Sequence, residues 1–288
     1  MPRTWFVTGS SRGLGRALCE ELLFRGDNVV ATARQTAPLA SLTEKYGARV
    51  LALTLDVTDA DAVRAAVAAS VGAFGRLDVV VNNAGYGNVG AFEDMSADDF
   101  RAQVETNLFG VVNVTRAVLP LLREQRSGHV IQISSAGGRI ALAGLSAYHA
   151  AKFGVEGFSE AVSKEIAPFG VKVTIVEPGG FRTDWAGSSM TVYDCRQDYE
   201  TTVGVIAKHI RTNGDVQIGD PRKAAAAIMT VVDAADPPLR LLLGSDAVSL
   251  VGTVERAQAQ SDESWLDLSL STDFDAAGGK MADRLALS

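Results

Sequence analysis

Apolar runs rich in β-branched residues alternate with longer helical patterns through most of the chain. The apolar runs predict strands over residues 5–8, 28–33, 50–54, 79–82, 129–134, 172–177 and 240–243. Helical patterns between them cover residues 14–24, 59–74, 97–122, 147–167 and 221–233. The predicted strands are almost continuously apolar, as expected when helices cover both faces of a sheet. The pattern therefore predicts an α/β protein with a doubly wound parallel sheet in three α/β/α layers, whose ligands gather at the carboxyl ends of the strands.

Composition and charge narrow the classes of function. The chain has 288 residues and a net charge of −7 without any basic block, which argues against a nucleic-acid partner. No apolar run is long enough to cross a bilayer, and the N-terminus has no signal-peptide layout. Cys19 and Cys195 lie far apart, and no His, Cys or carboxylate cluster has metal-ligand spacing. We therefore expect a cytoplasmic protein with no metal, no nucleic acid and no membrane partner.

A glycine-rich turn follows the first predicted strand and opens the first helix. It reads TGSSRGLG over residues 8–15. Glycines let such a turn tighten, and they let backbone N–H groups approach a pyrophosphate at the helix N-terminus. The turn therefore predicts dinucleotide binding.

A second pattern pairs Tyr148 with Lys152 on a predicted helix. Residues four apart lie on one helical face, so the phenol and the ammonium are held side by side. A nearby cation favours the phenolate and makes tyrosine a usable acid–base group near neutral pH. Ordinary solvated helices often carry the same spacing, so the pair indicates a catalytic site only in combination with other motifs of the chain.

Together the glycine turn and the Tyr148–Lys152 pair resemble the short-chain dehydrogenase/reductase family, a Rossmann-fold group. NNAG at residues 82–85, Asp56-Val57 and PGGFRT at residues 178–183 extend the resemblance along the chain. It implies one Rossmann-fold catalytic domain over residues 1–245. Residues 246–288 then form a C-terminal extension, and their sequence predicts helix to about residue 270. The cofactor-binding residues that the resemblance implies are Gly9, Ser11, Arg12, Gly13, Leu14, Gly15, Asp56, Val57, Asn83, Ala84, Gly85, Tyr148, Lys152, Pro178, Gly179, Phe181 and Thr183.

The resemblance also implies a catalytic set. Ser135, thirteen positions before Tyr148, would hydrogen-bond the substrate oxygen while Tyr148 exchanges a proton with it. Lys152 would lower the Tyr148 pKa and bind the nicotinamide ribose, and Asn107, at a backbone distortion, would hold a water in a proton relay. From the residues alone, Asn107 could be a solvated polar residue and Asp56 a helix N-cap. Ser134 is expected to be structural, with its hydroxyl turned toward backbone.

The implied activity is an oxidoreductase that interconverts an alcohol and a ketone or aldehyde. Two alternatives stay open: a binding protein of the same fold that senses NADP(H), and a nonredox epimerase or dehydratase. Residues 184–219 are expected to form a mobile lid over the substrate, and apolar Trp185 and Met190 suggest a hydrophobic or aromatic carbonyl compound. Family members usually pair through helices that correspond to residues 97–122 and 147–167, which implies a homodimer or homotetramer.

Cofactor choice follows from the end of the second strand. A carboxylate there would bind the adenosine ribose hydroxyls and favour NAD. This chain has Ala33 followed by Arg34, and Arg12 lies in the glycine turn. Arginine meets a phosphate through a planar fork of donors, so Arg34 joins the cofactor-binding residues and NADP(H) is preferred over NAD(H). The histidines receive no role: His129 and His209 are expected to be solvated, and His149 to point away from Tyr148.

Overall fold

A computed structural model describes residues 2–183, 190–213 and 216–274. In these ranges the strands are β1 Thr4–Val7, β2 Asn28–Ala33, β3 Val50–Thr54, β4 Val79–Asn82, β5 Asn88–Val89, β6 Gly128–Ile133, β7 Val171–Pro178, β8 Thr191–Val192 and β9 Arg240–Leu243. Seven of them form a parallel sheet in the order β3-β2-β1-β4-β6-β7-β9, while β5 and β8 pair separately. The predicted doubly wound parallel sheet is confirmed.

Helices cover both faces of this sheet. Their bounds are α1 Gly13–Arg25, α2 Ala40–Tyr46, α3 Ala60–Phe74, α4 Ala97–Val104, α5 Gly110–Gln125, α6 Ser146–Ile166, α7 Val205–Asn213, α8 Pro221–Asp233, α9 Ser245–Ser264 and α10 Leu266–Leu270. Buried side chains of α1, α2 and α8 pack on one face, and those of α3, α5 and α6 pack on the other. The strands are almost continuously apolar because each face of the sheet meets a helical layer.

The strand order reverses between β1 and β4, so the crevice of the sheet opens at their carboxyl ends. Two hydrogen bonds fix these ends together. The Thr8 Oγ1 atom accepts the backbone N–H groups of Asn83 at 2.9 Å and Ala84 at 3.0 Å. The predicted glycine turn and the NNAG segment therefore meet at the point where open α/β sheets bind ligands.

The predicted helix over residues 97–122 is divided in two. A π-helical segment, Glu105–Phe109, lies between α4 and α5 and contains Asn107, where the family resemblance implies a backbone distortion. The pattern also missed α2, α7 and the β5–β8 pair. In α2 only Leu42 is buried, so its seven residues carry almost no helical periodicity.

His129 is a further correction, because it is buried and not solvated. Its Nε2 atom lies 3.0 Å from Thr174 Oγ1, across the β6–β7 pair. Burial, helped by the charges of Lys172 and Arg3, lowers its pKa to about 4. The side chain is therefore a neutral hydrogen-bonding group in the core at physiological pH.

The chain divides into two compact units, Met1–Val248 and Ser249–Ser288. The sheet and the residues proposed for the active site belong to the first unit. In the second unit, helical structure extends to Leu270, where the sequence predicted it to end. Within the described ranges, no helix combines the length and apolar character needed to span a bilayer.

Candidate active site

The glycines of the turn are packed closely against neighbouring segments. Gly9 and Gly13 have φ values of +66° and +57°, which favour glycine. A Cβ atom on Gly9 would lie 2.9 Å from the Ala84 Cα atom, and one on Gly13 would lie 3.3 Å from the Thr183 Cβ atom. The turn thus meets both the NNAG segment and the 178–183 segment. A cradle of this kind, bare of side chains at a helix N-terminus, fits the pyrophosphate of a dinucleotide.

Gly15 and Asn83 complete the contact between the turn and β4. The Asn83 Nδ2 atom donates to the carbonyl oxygens of Thr8 at 2.9 Å and Gly9 at 3.1 Å. A Cβ atom on Gly15 would lie 2.5 Å from that same nitrogen. Leu14 packs against the adjoining core cluster, and Ser11 is partly exposed. Asn83 therefore fixes the backbone conformation of the turn through these two hydrogen bonds.

Arg12 and Arg34 occupy corresponding places on neighbouring segments. The Ser10 N–H donates to the Thr32 carbonyl oxygen at 2.9 Å, and each arginine follows this bonded pair by two residues. Both side chains are exposed. The contact joins the glycine turn to the end of β2, where the sequence predicts selection between the two nicotinamide cofactors.

Asp56 is exposed and is not a helix cap. Its Oδ1 atom accepts the N–H of Thr58 at 3.0 Å and the Thr58 hydroxyl at 2.8 Å. Asp59 caps α3 instead, by accepting the first-turn N–H groups of that helix. Val57 is buried, and a Cβ atom on Gly110 would lie 2.5 Å from its Cγ2 atom. The N-cap alternative for Asp56 is therefore wrong.

Ser135 and Tyr148 are hydrogen-bonded to each other through their side chains. The Ser135 Oγ atom also accepts the Gly137 N–H at 3.0 Å and donates to the Pro178 carbonyl oxygen at 3.4 Å. Burial raises the Tyr148 pKa to about 12, against the opposing effect of the Ser135 hydrogen bond. The buried phenol is therefore neutral at physiological pH and can act as a proton donor.

Lys152 lies beside this pair. Its Nζ atom donates to the Ile133 carbonyl oxygen at 2.8 Å and stands 5.8 Å from the centre of the Tyr148 ring. Burial lowers the Lys152 pKa to about 8, and the charge of Glu156 opposes the shift. The Tyr148 pKa is therefore raised by burial of the phenol, contrary to the expected lowering by Lys152.

Asn107 is buried in the π-helical segment, so the solvated alternative is wrong. Its Oδ1 atom accepts the Tyr86 N–H at 3.0 Å, and its Nδ2 atom donates to the Tyr86 carbonyl oxygen at 2.7 Å. A Cβ atom on Gly85 would lie 3.0 Å from Asn107 Oδ1 and 3.8 Å from Lys152 Nζ. Gly85 therefore lies between these two side chains, and the predicted backbone distortion is present.

The segment after β7 borders the same crevice. Pro178 ends the strand, and the Gly180 N–H donates to Asp246 Oδ2 at 2.7 Å. Gly179 leaves no room for a side chain beside the same carboxylate, and the Phe181 ring covers Gly219. Residues 184–189, including Trp185 of the predicted lid, lie outside the described residues.

His149 contacts Tyr148, contrary to the expectation that it points away. The two rings meet edge to face with centroids 5.9 Å apart. The Leu142 N–H donates to His149 Nε2 at 2.9 Å, so the proton resides on Nδ1, which donates to the Gly137 carbonyl oxygen at 2.7 Å. These hydrogen bonds of His149 could not be predicted from residue spacing, because the 137–142 loop that supplies both partners has no periodic pattern.

An apolar cluster lies against Tyr148. It contains Val89, Leu145 and Ala207, with Met190, Val192 and Ile210 packed against it. The short β5–β8 sheet supplies Val89 and Val192, while α7 supplies Ala207 and Ile210. The described part of residues 184–219 thus places apolar side chains next to the proposed proton donor.

Comparison with known proteins agrees with this geometry. A family model described as short chain dehydrogenase matches residues 3–193. The chain belongs to the short-chain dehydrogenase family. It is 51% identical over 273 residues to "Oxidoreductase BOA17" of Botryotinia fuckeliana, covering 94% of this chain and 100% of that protein. It is 38% identical over 249 residues to a 3-ketodihydrosphingosine reductase of Bacteroides thetaiotaomicron, covering 84% and 88% of the two chains.

A solved structure shares the whole fold. The crystal structure of a short-chain dehydrogenase from Streptomyces avermitilis superposes with a TM-score of 0.90 at 42% identity, over 95% of this chain and 100% of that one. The protein is therefore an NAD(P)-dependent short-chain dehydrogenase/reductase that acts on CH–OH or carbonyl groups. The family binds nicotinamide cofactors, and the glycine cradle fits one.

Proposed function

We propose that this short-chain dehydrogenase uses NADP(H) to interconvert a hydrophobic alcohol and the corresponding ketone or aldehyde, with Tyr148 as the acid–base group. One observation carries the proposal most strongly. The hydroxyls of Tyr148 and Ser135 are hydrogen-bonded beside the Lys152 ammonium, with an apolar cluster against the phenol. This arrangement provides a proton donor, a second hydroxyl for the substrate oxygen, and a surface for an apolar substituent.

In the direction of reduction, each of these residues has a separate role. Tyr148, a neutral phenol, gives its proton to the carbonyl oxygen as negative charge develops there. Ser135 donates a hydrogen bond to the same oxygen and stabilises that charge. A nicotinamide cofactor would supply the hydride when bound. Lys152 would bind its ribose hydroxyls, and Asn107 would hold a water that returns a proton toward Tyr148.

Cofactor binding is assigned to three segments that converge on the crevice. Gly9, Ser11, Gly13, Leu14 and Gly15 would bind the pyrophosphate through the bare backbone of their turn. The adenosine half would lie along Arg12, Arg34, Asp56 and Val57, and the nicotinamide half along Asn83, Ala84, Gly85, Pro178, Gly179, Phe181 and Thr183. The two arginines would bind the 2′-phosphate of NADP(H).

The first test is a panel of carbonyl compounds assayed with NADPH by the loss of nicotinamide absorbance. We expect kcat/KM to rise as an aliphatic or aromatic substituent is enlarged, because more apolar surface is buried against the cluster. Met190→Ala should reduce that increase, whereas Met229→Ala, in α8, should leave it unchanged. A preference for small polar carbonyl compounds would contradict the proposed substrate class.

Substrate binding should also order the described part of the predicted lid. Residues 190–213 combine short β8, a π-helical turn and α7, and most of their side chains are exposed. Amide hydrogen exchange there should slow when NADPH and a non-reacting substrate analogue are added together, because closure excludes water. Equal exchange with and without the ligands would argue against a closing segment.

Assembly and location complete the proposal. Phe109 and Phe153, beside α5 and on α6, are 47% and 45% exposed, which supports a homodimer or homotetramer that pairs through these helices. Light scattering should give a mass that is two or four times the chain mass of 30.3 kDa. Cys19 and Cys195 are free thiols, which supports a reducing cytoplasmic location.

A further inference from the structure

A second layer of charges lies behind the proposed active site. Glu156 is one helical turn beyond Lys152 on α6, and both side chains are buried, at 5% and 6% exposure. The Lys152 Nζ atom bonds the Ile133 carbonyl oxygen, while Glu156 lies beside the next residue, Ser134. A Cβ atom on Gly138 would be 2.6 Å from Ser134 Oγ and 3.0 Å from Glu156 Oε1. The ammonium and the carboxylate therefore flank the carboxyl end of β6.

A second buried carboxyl group, Glu177 of β7, lies next to Glu156. The Arg240 Nε atom is 3.0 Å from Glu156 Oε2 and 3.6 Å from Glu177 Oε1. Arg139 Nη1 donates to Glu177 Oε2 at 3.0 Å, and Arg240 Nη2 donates to Glu160 Oε2 at 2.8 Å. Two buried carboxyl groups thus share one guanidinium nitrogen of the partly exposed Arg240.

The carboxyl oxygen atoms of Glu156 and Glu177 are not all hydrogen-bonded. Among the described residues, Glu156 Oε1, Glu177 Oε1 and the Ser134 hydroxyl are buried without a hydrogen-bond partner. The expectation that Ser134 turns its hydroxyl toward backbone is therefore wrong. Two adjacent buried carboxylates with unsatisfied oxygens repel each other, and such a pair retains a proton on one member. Glu177, at 0% exposure, is more deeply buried than Glu156, so we place the shared proton on Glu177. Burial and the charge of Glu156 raise the Glu177 pKa to about 7, in agreement with this placement.

We propose that Glu156 is a positioning residue that keeps Lys152 charged from behind the active site, while Glu177 holds the proton of the buried carboxyl pair. The groups that face this layer are Lys152, Glu156 and Glu160 of α6, Glu177 of β7, Arg139 after the 136–138 turn, and Arg240 of β9. Glu156 is the carboxylate among them that opposes the effect of burial on the Lys152 pKa. The consequence for turnover rests on the proposed function, because Lys152 matters there only if it binds the cofactor.

The direct test is titration of Lys152 by NMR in the protein without ligand. The chain has seven lysines, so ¹³Cε-labelled lysine gives few signals, and Lys152→Met assigns the relevant one. Glu156→Gln keeps the size of the side chain and removes its charge, so the Lys152 titration midpoint should fall by about one pH unit. Glu160→Gln is the matched control, since Glu160 shares Arg240 but lies a further turn from Lys152. An unchanged midpoint in Glu156→Gln, or equal shifts in both variants, would overturn the proposal.

Turnover gives a second measurement. The kcat/KM for NADPH reports ionisation in the protein before the cofactor binds. In the pH profile of this kcat/KM, the basic limb should lie near pH 8 for the wild type. Glu156→Gln should move the limb to lower pH by the shift seen in NMR. Glu156→Asp should return it to the wild-type position. A protein with the NMR shift but no NADPH-dependent reduction would refute the proposed function alone. A limb that stays in place despite the NMR shift would refute the link between Glu156 and turnover.

The Glu177 proton is tested by stability, in case Glu156→Gln does not fold. The folded-state pKa of about 7 is above the ordinary value of 4.5, so the Glu177 contribution is fully present below pH 4.5 and is lost as the pH rises through 7. Glutamine carries no such proton. The melting temperature of Glu177→Gln relative to wild type should therefore rise between pH 5 and pH 8. A difference that is constant or falls with pH would overturn the proposed carboxyl pair.

Discussion

Replacing Tyr148 by phenylalanine should lower turnover by at least a hundredfold while leaving the Kd for NADPH within about twofold, because a positioned proton donor typically contributes 10²–10⁴ in rate. The ring would keep its edge-to-face contact with His149, and only the hydroxyl that bonds Ser135 would be lost. The measurement is kcat with the best carbonyl substrate, together with NADPH binding by fluorescence.

Tyr46→Phe provides the control for Tyr148→Phe. Its ring lies beside Lys45 and Arg49 at the end of α2, outside the proposed site, so turnover should stay at the wild-type level. If Tyr148→Phe retained more than a tenth of wild-type activity, Tyr148 would not be the acid–base group.

Replacing Arg34 by aspartate should reverse the preference between the two cofactors. Each charge-assisted contact to the 2′-phosphate contributes about 1.5–3 kcal/mol, so the wild type should have a kcat/KM at least tenfold higher with NADPH than with NADH. Aspartate removes a cation and restores a carboxylate that binds ribose hydroxyls and repels phosphate. If Arg34→Asp prefers NADH tenfold, the ratio of kcat/KM with NADPH to kcat/KM with NADH differs by about a hundredfold between the wild type and the variant.

Arg64→Asp controls for the change in net charge. Arg64 is exposed on α3 and pairs with Asp61, so its replacement should leave the cofactor ratio unchanged. Wild-type protein that used NADH and NADPH equally well would refute the assignment of Arg12 and Arg34. The proposed role of Tyr148 would be unaffected.

The main sheet was predictable because its strands are almost continuously apolar, including the partly buried edge strands β3 and β9. Four strands, β2, β3, β4 and β9, have the predicted bounds. The predictions for individual polar side chains were weaker. The sequence around such a residue does not show which distant backbone segment will form hydrogen bonds with it. His149 and the π-helical segment around Asn107 are both defined by hydrogen bonds to distant backbone, at residues 137–142 and at Tyr86.

The charges behind the site were also beyond the sequence. Glu156, Glu177 and Arg240 lie on α6, β7 and β9, and no short motif links them. Their proximity depends on the parallel pairing of β7 with β9 and on the packing of α6 against the sheet. The spacing within one helix predicts that Tyr148 and Lys152 lie side by side, whereas a cluster drawn from three elements requires the fold.

The central claim is that the protein reduces a carbonyl group with NADPH, and transfer of a deuterium label tests it most directly. NADPH deuterated at the transferred position should give an alcohol with one deuterium on the carbinol carbon, detected by mass spectrometry. Tyr148→Phe, at matched NADPH occupancy, should give almost none. Tight NADPH binding without deuterium in any product would instead indicate a binding protein, and an isomerised or dehydrated product with no net NADPH oxidation would indicate a nonredox enzyme.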